Sequence, residues 1–206
     1  LDRLAAHPST AAFISRKLAR RFVADIPPQA LVDRLAQVYL ATQGDIRAVM
    51  RDLLLSPEFR TAADNKLKRP NEYVSGVVRV LSARLGNQFY RVLTEQLTEL
   101  NQVPFNWPAP NGYPDVQGYW TKTSSVLSRW NFVFALLEGE FAPGLQVDLA
   151  ALAAGATSPN AIVDQLAARL LRRPLAEDDR ARFLAIASGN SMPHRPLPAA
   201  IRRDRI

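Results

Sequence analysis

The sequence predicts an all-α fold, an irregular multi-helix bundle with one long aromatic and proline-rich loop. Apolar residues recur at three- and four-residue spacing in most segments. Capping residues and start-type prolines stand in front of those segments. No run alternates apolar and polar residues for long enough to make a strand.

Pro8 opens the first helix, where a missing backbone N–H costs nothing. Ala11, Ile14, Leu18 and Phe22 give its apolar stripe. Pro28 opens the second, with Leu31, Leu35 and Val38 inward and Gly44 at its end. Asp45 is placed to cap the third, which turns Ile46, Val49, Met50 and Leu53 inward. Ser56-Pro57-Glu58 is a cap, an N1 proline and an acid on the positive helix end. Pro70 starts a helix with Val74, Val77, Val78, Leu81 and Leu85 inward, and Gly86 breaks it. Phe89, Leu93, Leu97 and Leu100 mark the next.

Residues 101–120 then read NQVPFNWPAPNGYPDVQGYW. Four prolines and two glycines forbid a continuous helix there. From Ser124 or Ser125 a helix follows with apolar residues nearly all round, the pattern of a central helix. Ser158-Pro159 repeats the cap-plus-proline start, and a last helix runs over about 176–188. The segment PPQALVDRLAQVYL (27–40) echoes SPNAIVDQLAARLL (158–171), but two copies make no solenoid. The expected division is a main domain over 1–144, holding the loop, and a C-terminal helical part over 145–206 packed on it.

Composition narrows the chemistry. With 48% hydrophobic and 22% charged residues, the 206-residue chain is ordinarily globular. No stretch approaches the roughly 18 uncharged apolar residues of a membrane helix. The absence of cysteine excludes disulfides and thiolate metal sites, and two histidines exclude a multi-histidine zinc centre. No metal and no cofactor are expected. The net charge of +7 suits acidic partners, but the cations are not concentrated as nucleic-acid binding requires. The chain starts at Leu1 in helix-like sequence and stops after an arginine-rich run, which suggests a fragment at both ends.

The loop holds the candidate ligand-binding residues: Trp107, Asn111, Tyr113, Asp115, Tyr119 and Trp120. Aromatic faces beside amide and carboxylate groups suit a sugar ring or a peptide. The competing account is a loop folded on its own aromatic mini-core. Asn111-Gly112 fits a turn better than a calcium loop, because the carboxylates are too few. Arg21 falls at the edge of its helix's apolar stripe and needs a carboxylate, for which Glu58 and Glu72 are the candidates. Arg129 and Asn131 are read as buried polar groups that tie the loop down. His7 is a helix flank with a local hydrogen bond, and Lys66, Lys68 and Arg69 are solvated. No nucleophile elbow, phosphate loop, dinucleotide fingerprint or zinc-protease helix appears.

Four segments in order, HPSTAAFISRKLARRFV (7–23), GDIRAVMRDLLLSPEFR (44–60), KLKRPNEYVSGVVRVL (66–81) and FNWPAPNGYPDVQGYWTKTSSVLSRWNF (105–132), resemble the C-terminal part of the bacterial domain-of-unknown-function 1800 family. The loop and its Ser-Arg-Trp-Asn helix carry the resemblance most specifically, and it weakens after about residue 142. It implies a helical part of a longer protein, often exported to the periplasm or outside, and often encoded beside a sulfatase-like protein. It supplies no catalytic residues. The expected function is a non-catalytic binding or scaffolding module with a protein or glycan partner at the loop. The alternative is an enzyme whose site a missing N-terminal half completes.

Overall fold

Helix starts follow side-chain acceptors and prolines, as a computed structural model describing residues 2–198 shows. After the single turn α1 (Asp2–Ala5), His7 Nδ1 accepts from Ser9 N at 3.1 Å and Pro8 opens α2 (Pro8–Phe22). Pro28 precedes α3 (Gln29–Ala41). Asp45 accepts from Arg47 N at 2.8 Å to start α4 (Ile46–Leu55). Ser56 accepts from Phe59 N at 3.1 Å to start α5 (Pro57–Arg60). There follow α6 (Pro70–Val80), β1 (Arg84–Leu85), α7 (Phe89–Glu99), α8 (Gln117–Trp120), α9 (Thr123–Glu138), β2 (Leu145–Gln146), α10 (Leu149–Leu152), α11 (Pro159–Leu171) and α12 (Glu177–Ser188). Ser158 caps α11 through Ala161 N. The fold is all-α, and its one sheet among the described residues is the two-residue antiparallel ladder of β1 and β2.

The chain forms two units, Leu1–Pro70 with Pro104–Val126 and Asn71–Val103 with Leu127–Ile206. This differs from the expected division near residue 144. Leu145 and Leu152 share one core with Val74, Val92 and Phe132, and a smaller core of Ala153, Ala156, Ile162 and Leu197 follows within the same unit. The loop belongs instead with the N-terminal helices.

In the first unit, α2, α3 and α4 bury Ala11, Ala19, Leu31, Leu35, Val49 and Leu53. The buried edge of α2 is Ala11, Ser15 and Ala19, a ridge of small side chains at four-residue spacing. Such a ridge lets the neighbouring helix approach closely. The expected stripe is therefore rotated: Ile14 and Leu18 are half-buried and Phe22 is exposed. Arg34 clamps α3 to its successors, donating from Nε to Asp52 at 2.9 Å and from both terminal nitrogens to Glu58 at 3.1 Å. The Glu58 hydrogen bonds raise the Arg34 pKa, and Arg34 in turn lowers that of Glu58.

The second unit packs α6, α7, α9 and α10 around Val74, Leu97, Leu100, Phe132 and Leu136. The Gly86 amide donates to Gly144 O at 2.9 Å. A Cβ on Gly86 would lie 1.8 Å from the Pro143 carbonyl oxygen, so this crossing requires glycine. Leu85, expected inward, is exposed on the ladder. α9 is also not central: Phe132 and Leu136 are buried, while Leu127, Trp130 and Phe134 face solvent. Apolar composition all round a helix does not require a cover all round it. Among the described residues, no helix is long and apolar enough to cross a membrane.

Two core substitutions should shift stability in opposite directions. Leu53 is fully buried, and Leu53→Ala should cost about 2–5 kcal/mol in chemical denaturation. The Ser15 hydroxyl is buried without a hydrogen-bond partner among the described residues. Ser15→Ala should therefore raise stability by about 1 kcal/mol, and a lower denaturation midpoint would count against that account.

Candidate functional site: the anchored aromatic loop

The loop returns to the first unit through charges at the end of α2. Asp25 follows that helix, and Arg20 Nε fixes its carbonyl at 3.0 Å. One Asp25 oxygen takes the Lys66 ammonium and the other accepts from the backbone N–H of Gln117, the first residue of α8. Lys66 also reaches Asp115, at 3.4 Å to the carboxylate and 3.3 Å to the carbonyl oxygen. Arg21 stands 3.8 Å from the Asp115 carboxylate. One ammonium thus holds two carboxylates from distant parts of the chain. Its side chain is largely shielded from water, which strengthens the pairing relative to an exposed one.

The Asp25 carboxyl lies below its ordinary value. Burial is the largest single influence and pushes it up. The hydrogen bonds from Lys66 and Gln117, with the charges of Lys66 and Arg20, together outweigh burial.

Above this anchor four rings close a circuit. Trp107 lies 4.9 Å from Tyr113, Tyr113 5.9 Å from Trp120, Trp120 4.7 Å from Tyr119, and Tyr119 5.9 Å from Trp107. Trp120 is 2% exposed and donates from Nε1 to Pro114 O at 2.9 Å. Trp107, Tyr113 and Tyr119 are half-buried around it. Trp107 donates from Nε1 to Asn111 Oδ1 at 3.1 Å, and Lys122 sits 5.4 Å from the centre of the Tyr119 ring. Gly112, at φ +71°, turns the chain beside Asn111. Each ring pair contributes about 0.5–1.5 kcal/mol beyond its burial, so the circuit is also a small core.

The six loop residues singled out by sequence thus lie within one unit. Trp107, Tyr113, Tyr119 and Trp120 form one cluster, with Asn111 bonded to it. Asp115 instead faces the cations of the anchor. Its pairing with Arg21 also differs from expectation, since Glu58 is held by Arg34. Asn131 is exposed and so is not a buried amide. Arg129 is buried, with its guanidinium 4.8 Å from the centre of the Tyr73 ring, and its carbonyl accepts from the Tyr73 hydroxyl at 3.0 Å. Burial lowers the Arg129 pKa and raises that of Tyr73. These contacts belong to the second unit. Sequence reasoning missed Asp25 and read Lys66 as solvated. No local signal marks either, since their partners lie 92 and 49 residues away.

The anchor has a definite pH sense. A carboxyl with a depressed folded-state pKa stabilises fully above its unfolded value, and this is lost as pH falls through the folded value. Loop docking should be unchanged from neutral pH down to the ordinary aspartate value of 3.8 and weaken below it. Hydrogen exchange at the Gln117 amide reads this directly. Asp25→Ala should speed that exchange about tenfold at pH 6, and an unchanged rate would refute the anchor.

Among the described residues, no group of three or more His, Asp or Glu side chains is placed to hold a metal ion. Comparisons with curated proteins and with solved structures find no match. A family model described as "Protein of unknown function (DUF1800)" matches residues 1–199, and the chain belongs to that family.

Proposed function

We propose that the chain is a non-catalytic binding or scaffolding module of an exported bacterial protein. The aromatic loop is its contact surface for a glycan or peptide partner. The support is the rim of the ring circuit: Trp107, Tyr113 and Tyr119 stay partly open to solvent while buried Trp120 fixes their positions. Rings held rigid before binding lose little conformational entropy when a partner stacks on them. Exposed Asn111 adds an amide beside Trp107, and a sugar hydroxyl or peptide carbonyl would meet its NH₂ group. By family resemblance, the sulfatase-like protein often encoded nearby is one candidate partner, and the periplasm or cell exterior is the proposed location.

Two carboxylates meet at the anchor, but Asp25 and Asp115 are spent on Lys66, Arg20 and Arg21. Neither is offered as a general acid or base, so the binding account is preferred to a catalytic one.

Tryptophan fluorescence titrated with panels of soluble oligosaccharides and of proline-rich peptides tests this. At least one class should quench or shift the emission. Trp107→Ala should raise the titration midpoint about tenfold or more; it also removes two ring pairs, so circular dichroism at the assay temperature should confirm that the variant stays folded. No response to either panel, or an undiminished response in the variant, would remove the loop as the contact surface.

A further inference from the structure

The second unit gathers three guanidinium groups on one concavity, independent of the loop. It encloses about 500 Å³ between two helix ends. Arg79, Val80 and Ser82 wall it from the end of α6, and Gln165, Arg169 and Arg172 from the end of α11. Among the described residues, no Asp or Glu lines it.

One of the three cations is held in place. Arg169 donates from Nε to Val80 O at 2.7 Å and from Nη2 to Ser82 Oγ at 2.8 Å. Those bonds fix the guanidinium plane and leave its Nη1 donors for another acceptor. Ser82 accepts from Arg169 and so keeps its own O–H to donate. The Gln165 NH₂ group is committed to the carbonyls of Leu152 and Ala154. Arg79 and Arg172 make no side-chain ion pair or hydrogen bond among the described residues. The backbone adds a second observation. Ser82 and Arg172 both hold left-handed conformations, at φ 49° and 57°. Residues with a Cβ disfavour that region, and glycine is the usual residue just past a helix end. At that turn α11 carries an arginine instead, which brings a third cation beside the other two.

Three like charges around one opening repel. The negative ends of α6 and α11 offset roughly half a charge each, so about two of the three positive charges stay uncompensated. Guanidinium forks match the oxygen spacing of a tetrahedral oxyanion. From this donor set and residual charge, we infer that the concavity is a binding site for a phosphate monoester dianion, either soluble or at the head of a lipid. Such an ester carries about −1.5 to −2 at neutral pH, close to the charge left over.

Calorimetric titration of the 206-residue chain with inorganic phosphate at low ionic strength tests this. It should show one saturable site with a Kd of about 0.1–1 mM, weakening as salt is raised to about 0.15 M. Methyl sulfate, a tetrahedral monoanion, should bind about tenfold more weakly. Arg79→Gln and Arg172→Gln should each weaken phosphate binding about tenfold. Both side chains are exposed, so circular dichroism should report an unchanged fold. Arg47→Gln removes an exposed cation of the first unit and should leave the affinity unchanged.

Vesicles of phosphatidate in phosphatidylcholine separate the two sources. Capture of the chain by them, reversed by excess phosphate, assigns a lipid headgroup. Phosphate binding without capture assigns a soluble ester. No saturable phosphate binding, equal affinity for methyl sulfate, or an equal loss in Arg47→Gln would each overturn the site.

Discussion

The first unit depends on one ammonium group. Lys66 stands between Asp25, just after α2, and Asp115, in the middle of the loop. Two carboxylates brought together without a cation would repel. Lys66 between them and Arg21 close by offset that repulsion, and the spare Asp25 oxygen accepts from the Gln117 amide. The tie thus grips the loop immediately before α8, whose last residue, Trp120, fills the centre of the aromatic circuit. The placement of the rings follows from an electrostatic contact that none of them makes.

The same logic recurs without an acid partner. The excess of cations is partly absorbed by backbone carbonyls: Arg20 on Asp25, Arg60 on Leu55 and Arg169 on Val80. Guanidinium groups suit this work because they present several donors in a fixed plane. Where carboxylates are available, Arg34 makes a bidentate clamp from α3 to α5 and Arg180 one from α12 to α11. Part of the basic character of the chain is therefore structural, which weakens an inference from net charge alone to an acidic partner.

What could be read from sequence followed the range of the interaction. Asp45 and Ser56 cap helices through bonds two or three residues away, so the sequence placed those starts. The prolines marked the loop because they act on their own backbone, and the loop tryptophans gave away its aromatic character. The anchor was invisible, because nothing near Asp25 or Lys66 reveals a partner dozens of residues distant. α9 shows a different limit. Its periodicity identified the apolar residues but not which of them the fold would cover, so the helix was read as central and Asn131 as buried, whereas Asn131 and Trp130 are exposed. In α2 the small residues Ala11, Ser15 and Ala19 outcompeted larger neighbours for the interface, a choice made by the facing helix α3.

The discontinuity of the first unit sets an order of events during synthesis. Helices α1 to α5 are complete by residue 70, but the stretch of chain that closes the unit, with α8 in it, arrives only with residues 104–126. While the intervening segment emerges from the ribosome, Asp25 and Lys66 have each other but not Asp115 or the Gln117 amide. Closure then has to find a contact 92 residues apart in sequence, an entropically slow step compared with forming the local helices. The nascent chain thus passes through a stage in which α2 to α5 are assembled and the aromatic circuit does not yet exist.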